Sequence, residues 1–162
     1  MGGSARSDPM EEWRSVTPMA TLGVTEGKVE TNMSTNDLQR LTSLYYRSIR
    51  ISDVDGFVDL FATDGVSHDP VGAPPHVGHD GVRAFLTGVL GLCHQLDIAP
   101  VETVFYHNSA AVTWSAFAIG KNGSGTEFGG IDVFTFNQDL RIASLHAFWD
   151  AVPLMKALTA HG

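Results

Sequence analysis

The sequence predicts an α+β fold, with helices in its first part and an antiparallel sheet in its second. Within residues 34–61 and 80–90, apolar side chains recur every three or four positions, which is the spacing of one helical face. From Gln95 onward the period becomes two, and the segments are rich in Val, Ile, Phe, Thr and Trp. Helices followed by a run of hairpin-connected strands favour helices packed on one face of a curved sheet.

Three helices are predicted before the four long strands and one after them. The first begins at residues 34–37 (STND), which are N-cap residue types with an acid in the first turn. Its apolar face comprises Leu38, Leu41, Tyr45 and Ile49. Asp53 caps a short second helix that runs to Phe61, and Asp80 opens a third. Residues 153–160 are predicted to form a final short helix, since Pro is well tolerated in a first helical turn.

The predicted sheet begins with a short strand at residues 65–71, before a Pro/Gly-rich loop at residues 72–78. Four longer strands are predicted at residues 95–106, 109–119, 127–137 and 140–150. The segments between these four are rich in Gly, Asn and Asp, which indicates tight turns between antiparallel neighbours.

Length and composition indicate one globular domain, which we place at residues 34–162 of the 162. Residues 1–33 are small and polar without a sustained period, and we expect them to form a flexible or loosely docked arm. The net charge of −8 argues against nucleic acid and anionic membranes as partners. The single cysteine, Cys93, cannot form an internal disulfide, and neither a membrane span nor a signal peptide is evident, so we expect a cytoplasmic protein.

Three polar residues interrupt the apolar pattern at inward positions. Tyr45 lies on the apolar face of the first helix. Asp69 precedes Pro70 near the end of a strand, where strand pairing is expected to stop. Asp132 shares a strand face with Phe134 and Phe136 by alternation, so its carboxyl group is poorly solvated and its pKa is expected to rise.

These three residues suit acid–base chemistry on a carbonyl compound. A neutral carboxylic acid and a phenol can each donate a hydrogen bond to a developing oxyanion. A second, ionised carboxylate can then move a carbon-bound proton. The interpretation therefore requires one acid that stays neutral and one that stays charged. The apolar strand around Asp132 and the loop beside Asp69 are different environments that can separate the two acids in this way.

Residues 38–150 resemble the bacterial Δ5-3-ketosteroid isomerases. The matching features are the helix tyrosine Tyr45 and the segments 53–56 (DVDG), 60–62 (LFA), 68–72 (HDPVG) and 131–134 (IDVF). The resemblance implies a cone-shaped α+β barrel of the nuclear transport factor 2-like superfamily. It also implies Tyr45 and protonated Asp132 as oxyanion donors and Asp69 as the general base. One departure is Leu86, at a position where family members often carry a further tyrosine.

Residues 68–80 (HDPVGAPPHVGHD) also resemble polyether epoxide hydrolase/cyclases and related SnoaL-like polyketide cyclases of natural-product biosynthesis. In that alternative Asp69 acts with a second acid, for which the candidates are Asp97, Asp132 and, more weakly, Glu102. The phenylalanines beside Asp132 favour a central role for it, which ranks isomerase-type chemistry slightly ahead. A non-enzymatic ligand-binding or dimerisation module is a further alternative, and the three inward polar groups argue against it.

The remaining expectations concern the pocket and its partners. The candidate substrate-binding residues are Phe85, Leu86, Asp97, Phe134, His146, Phe148 and Trp149. His146 shares a face with Phe148 and either lines the pocket or packs against its wall, whereas Tyr46 is interpreted as a packing residue. His76 and His79 are expected to rim the pocket, since no further metal ligand lies near them.

No metal or cofactor is predicted, because the chain lacks a dinucleotide-binding fingerprint and a convincing set of metal ligands. The expected ligand is an apolar small molecule of steroid or polyketide type. The resemblance implies a homodimer through the exposed sheet face, and apolar residues on both faces of the predicted strands agree with it.

Overall fold

A computed structural model describes residues 33–160, so residues 1–32 of the predicted arm lie outside the described part of the chain. The helices of this part are α1 (Thr35–Arg50), α2 (Val54–Asp59), α3 (Gly78–Leu92) and α4 (Ala151–Thr159). Its strands are β1 (Phe61–His68), β2 (His76–Val77), β3 (Cys93–Tyr106), β4 (Ser109–Gly120), β5 (Gly125–Phe136) and β6 (Ile142–Phe148). None of these helices has the length and apolar character needed to cross a bilayer.

The strands form a single sheet in the order β2-β1-β6-β5-β4-β3. β1 pairs in parallel with β6, and all other neighbours are antiparallel. The two outermost strands, β2 and β3, do not pair with each other, so the sheet curves around the core without closing. This arrangement confirms the predicted fold class, with helices packed on a curved, mostly antiparallel sheet.

Helices α1 and α2 begin where the predicted capping residues lie, whereas α3 and α4 each begin two residues earlier than predicted, at Gly78 and Ala151. The Ser34 side chain accepts a hydrogen bond from the Asp37 backbone N–H at 3.1 Å, and Asp53 Oδ1 accepts one from the Gly56 N–H at 2.9 Å. Helix α1 then buries an apolar face that packs on the inner face of the sheet, where Phe134 and Leu145 are fully buried. Burial of each such large side chain stabilises the fold by about 1.5–3 kcal/mol.

Several boundaries differ from the sequence-based prediction. Helix α2 ends at Asp59 and β1 begins at Phe61, because the Leu60 carbonyl accepts a hydrogen bond from the Ile142 N–H and draws the chain into the sheet. An apolar residue such as Phe61 is buried whether it ends a helix or begins a strand, so the sequence pattern cannot distinguish the two. Strand β2, which pairs with β1 within the predicted loop at residues 72–78, was not predicted.

The outer face of the sheet, opposite the helices, carries exposed apolar side chains. Each of them alternates with a residue that points toward the core, as the pleat of a strand requires. The exposed apolar side chains on β3, β4, β5 and β6 include Val104, Tyr106, Phe117, Ile131 and Phe148.

Candidate active site

A cavity of about 60 Å³ lies between the inner face of the sheet and helices α1, α3 and α4. Tyr45, Asp69 and Asp132 all line it, although they are distant from one another in the sequence. The remaining lining residues are apolar or aromatic: Ile49, Phe85, Leu86, Val89, Leu96, Ile98, Trp114, Phe128, Trp149 and Leu154. Lys, Arg and His are absent from the part of the lining that the structure describes.

Asp132 lies in the middle of β5 and is only 3% exposed. Both of its carboxyl oxygens are hydrogen-bonded: the Tyr46 hydroxyl donates to Oδ2 at 2.7 Å, and the Trp114 indole Nε1–H donates to Oδ1 at 2.9 Å. Burial raises the pKa of Asp132 to about 7, although these two donors oppose the rise. The negative charge of Asp69 also raises the pKa of Asp132, so the two carboxyl groups interact electrostatically.

Asp69 follows the last residue of β1 and is also buried. Its Oδ1 accepts a hydrogen bond from the Trp149 indole at 2.6 Å, whereas Oδ2 has no hydrogen-bond partner among the residues that the structure describes. Burial raises the pKa of Asp69 to about 6, and the Trp149 donor and the nearby His76 limit the rise. Asp69 therefore ionises at a lower pH than Asp132 and keeps one oxygen available for a substrate.

His76 and His79 lie near the start of α3, where each ring contacts a backbone carbonyl of β1 or of its C-terminal end. The His76 Nε2 lies 3.2 Å from the Asp69 carbonyl oxygen, and the His79 Nε2 lies 2.9 Å from the Phe61 carbonyl oxygen. Within residues 33–160, no three His, Cys, Asp or Glu side chains are grouped as metal ligands.

The adjacent tyrosines of α1 occupy different positions in the site. Tyr45 lines the cavity, and its hydroxyl has no hydrogen-bond partner within the described range. Burial and the two carboxylates raise the pKa of Tyr45, so its phenol remains protonated and can donate. The interpretation of Tyr46 as a packing residue is incomplete, because its hydroxyl donates to Asp132. A fully buried tyrosine needs a partner for its hydroxyl, and that requirement was the available signal.

Four predicted substrate-binding residues do not line the cavity, and three of them lie on the outer face of the sheet. Asp97 is exposed on the outer face of the sheet, since the inward positions of β3 around it are those of Leu96 and Ile98. His146 stacks on His68 with ring centroids 4.6 Å apart, and Phe148 is 50% exposed; both side chains lie on the same outer face. Alternation correctly predicted that His146 and Phe148 share a face, but it did not identify which face of the sheet is the interior.

The other candidates lie on the inner side. Phe85, Leu86 and Trp149 line the cavity, while Phe134 is fully buried behind it and packs edge-on against the Tyr45 ring at 5.0 Å. Glu102, the weaker candidate for a second acid, is exposed.

Sequence reasoning missed the indole of Trp114 as a donor to Asp132. Trp114 occupies an inward position of β4 and is 6% exposed. A buried indole N–H also needs an acceptor, so an inward Trp and an inward Asp on neighbouring predicted strands were the only available indication.

The arrangement can both remove and supply a proton within one apolar cavity. At about pH 7, Asp69 is largely ionised while about half of Asp132 remains protonated. Tyr45 adds a neutral donor directed at the same space. Such a pair of carboxyl groups, held apart in pKa by their surroundings, is typical of acid–base catalysis.

Comparison with known proteins agrees with this architecture. The enzyme SalBIII, described as epoxide hydrolase/cyclase-like and active in pyran ring formation in the polyether salinomycin, superimposes with a TM-score of 0.65 at 23% identity, over 71% of this chain and 92% of SalBIII. TerC, crystallised with polyporic acid, superimposes with a TM-score of 0.66 at 15% identity, over 76% of this chain and 99% of TerC. At these identities the likeness concerns the fold. The SnoaL-like domain family matches residues 43–145, which is more than half of the sequence, and the chain therefore belongs to that family.

Proposed function

We propose that this protein is an acid–base enzyme of the polyketide cyclase type, which closes an ether ring on an uncharged apolar molecule by opening an epoxide. The observation that carries the proposal is the pair of buried carboxyl groups, Asp69 and Asp132, on one apolar cavity. The absence of cationic side chains from the described lining favours an uncharged substrate over a carboxylate.

In the proposed reaction, the unpaired Oδ2 of ionised Asp69 removes the proton from a hydroxyl group of the substrate. The resulting oxygen attacks an epoxide carbon, a carbon–oxygen bond forms, and the carbon–oxygen bond of the epoxide breaks. Protonated Asp132 supplies the proton to the released oxygen. The product leaves Asp69 protonated and Asp132 ionised, and exchange with water after product release restores the starting state.

Tyr45 has a supporting role in this proposal. Its protonated hydroxyl faces the cavity without a partner among the described residues, so it can donate to the epoxide oxygen as negative charge develops there. Asp97, the alternative second acid, is disfavoured because its carboxylate lies on the opposite face of the sheet.

A second candidate is the isomerase-type proton shift of an unsaturated ketone. The observation that favours it is that Tyr45 and protonated Asp132 both border the same cavity, where they can donate to one oxyanion. Asp69 would then carry the proton from one carbon to another.

Two assays distinguish these candidates. Purified protein is mixed with a hydroxy-epoxide, whose cyclic ether product is followed by gas chromatography, and separately with a β,γ-unsaturated ketosteroid, whose conjugated product is followed by absorbance. We expect ring closure by the wild type, a loss of about 10²–10⁴-fold in Asp69→Asn and in Asp132→Asn, and an unchanged rate in the matched control Asp97→Asn.

Ring closure no faster than in buffer, by a folded protein, would overturn the cyclase proposal. So would an equal loss of rate in Asp97→Asn. Conversion of the ketosteroid that disappears in Asp69→Asn would transfer the assignment to the isomerase candidate.

A further inference from the structure

Gly130 occupies the one inward position of β5 between Phe128 and Asp132, directly opposite Trp114 of β4. A Cβ atom at Gly130 would lie 2.8 Å from Trp114 Cζ2, 2.8 Å from Trp149 Cβ and 2.5 Å from the Phe148 carbonyl oxygen. Real Cβ atoms essentially never approach other heavy atoms within 3.0 Å. The backbone of Gly130 does not adopt a positive φ, so lack of space, rather than backbone conformation, requires glycine here.

The two side chains that a Cβ atom at Gly130 would crowd belong to the two tryptophans whose indoles donate to the carboxyl groups: Trp114 through its ring and Trp149 through its Cβ. Trp114 donates to Asp132, and Trp149 donates to Asp69. Their rings pack edge-on with centroids 6.2 Å apart, and Phe128 lies against both, at 5.6 Å from Trp114 and 5.7 Å from Trp149. Because the three rings form one packed cluster, an atom inserted beneath the indoles displaces both.

We propose that Gly130 is a positioning residue for both carboxyl groups: its missing side chain leaves the space in which the Trp114 and Trp149 side chains pack edge-on, each with its indole N–H on one carboxyl oxygen. Gly130 touches neither aspartate and acts through Trp114 and Trp149. The consequence for catalysis rests on the proposed acid–base function, whereas the consequence for the carboxyl groups themselves does not.

The expected effect is a change in the protonation of each acid. An indole N–H stabilises the charged form of the carboxylate that accepts it, so loss of that hydrogen bond raises the pKa of that carboxyl group. The Trp114 donor acts on Asp132 and the Trp149 donor on Asp69. A hydrogen bond to a charged group corresponds to about one pH unit or more in pKa.

Other groups that face the two acids remain in place in these variants. Both acids are also faced by the hydroxyl groups of Tyr45 and Tyr46, and Asp69 is faced by His76 as well. Each acid is faced by the other, so the apparent values belong partly to the pair. The comparison of variants is therefore made against the wild type and a matched control.

Gly129 provides that control. It is the neighbouring residue of β5, it points to the outer face, and a Cβ there would crowd the Trp114 carbonyl oxygen at 2.8 Å. The other atoms within reach, the Ser115 Cα and the Trp114 carbonyl carbon, lie at 3.8 Å and 3.9 Å, and neither belongs to an indole. Gly129→Ala therefore also crowds a backbone oxygen of a neighbouring strand, but it does not touch either ring.

The experiment is a ¹³C NMR titration of the aspartate carboxyl groups in the full chain, with resonances assigned from Asp69→Asn and Asp132→Asn. We expect Gly130→Ala to raise the pKa of both acids by about one pH unit, and Gly129→Ala to leave both unchanged. Trp149→Phe should raise mainly the pKa of Asp69, and Trp114→Phe mainly that of Asp132. The proposal is overturned if Gly130→Ala leaves both values unchanged, or if Gly129→Ala shifts them equally.

If Gly130→Ala alone does not fold, the double variant Gly130→Ala/Trp114→Phe decides, because Phe lacks the Cζ2 ring atom that the added methyl group would crowd at 2.8 Å. A pKa of Asp69 higher than in Trp114→Phe alone supports the proposal, and an equal value refutes it. The titration needs no substrate, so a missing ring-closure activity would contradict the proposed function while leaving this result intact.

Discussion

Burial of the Asp132 carboxyl group should make the protein less stable as the pH rises. Asp132 has a pKa of about 7 in the folded protein, compared with 3.8 for an ordinary aspartate. Between these values the folded state binds more protons than the unfolded state, so the free energy of unfolding decreases with increasing pH. The stabilisation is complete below about pH 4 and is lost as the pH rises through about 7.

The magnitude follows from the difference of about three pH units, at 1.36 kcal/mol for each unit, and amounts to about 4 kcal/mol for Asp132. Asp69, with a pKa of about 6, contributes in the same direction, and the two acids titrate as a coupled pair. An effect of this size is a large fraction of the 5–15 kcal/mol that stabilises a typical domain.

The substitution Asp132→Asn tests this reasoning, because it removes the charge while keeping the shape of the side chain. The amide oxygen can still accept the Trp114 N–H, and the amide NH₂ can donate to the Tyr46 oxygen. We expect Asp132→Asn to be more stable than the wild type at about pH 8, by up to about 4 kcal/mol, and the difference to vanish near pH 4. The variant should also lose most of its catalytic rate.

The assay is urea unfolding followed by tryptophan fluorescence at several pH values between about 4 and 8, at fixed protein concentration. Asp97→Asn, whose carboxylate is exposed, is the matched control and should follow the wild-type curve. A wild-type free energy of unfolding that increases from about pH 5 to pH 8, or an Asp132→Asn variant less stable than the wild type at about pH 8, would refute the reasoning.

Two further predictions concern the tyrosines and the outer sheet face. Tyr45→Phe should lower the catalytic rate by about 10-fold or more while leaving the pKa of Asp132 nearly unchanged. Tyr46→Phe should raise the pKa of Asp132, because it removes a hydrogen-bond donor to the carboxylate. NMR titration of Asp132, combined with rate measurements, separates the two roles. We propose a homodimer through the outer face of the sheet. Ile131→Lys places a charge among the exposed apolar side chains and should shift the protein to a monomer in size-exclusion chromatography. A wild type that already elutes as a monomer would contradict the proposal.

Local patterns accounted for the elements of the fold. The change of period from helical to alternating separated helices from strands, and the capping residues Ser34 and Asp53 marked the starts of α1 and α2. Boundaries such as the one at Phe61 were placed less well, because a buried aromatic side chain is compatible with either a helix or a strand. At Phe61, the pairing of β1 with β6, which lies far along the chain, determined that the residue belongs to a strand.

The sequence by itself determined the class of the fold, the family resemblance and the three polar residues that line one cavity, because each depends on local periodicity or on short motifs. The tertiary structure decided which side of the sheet is the interior, since both faces carry apolar residues, and so it separated Asp97, His146 and Phe148 from the cavity. It also decided the partners of the two acids, because Tyr46 lies 86 positions from Asp132 and Trp149 lies 80 positions from Asp69. Alternation fixes only the relative orientation of neighbours within a strand, whereas contacts over such separations, and the need for glycine at position 130, arise only when the helices and strands pack together.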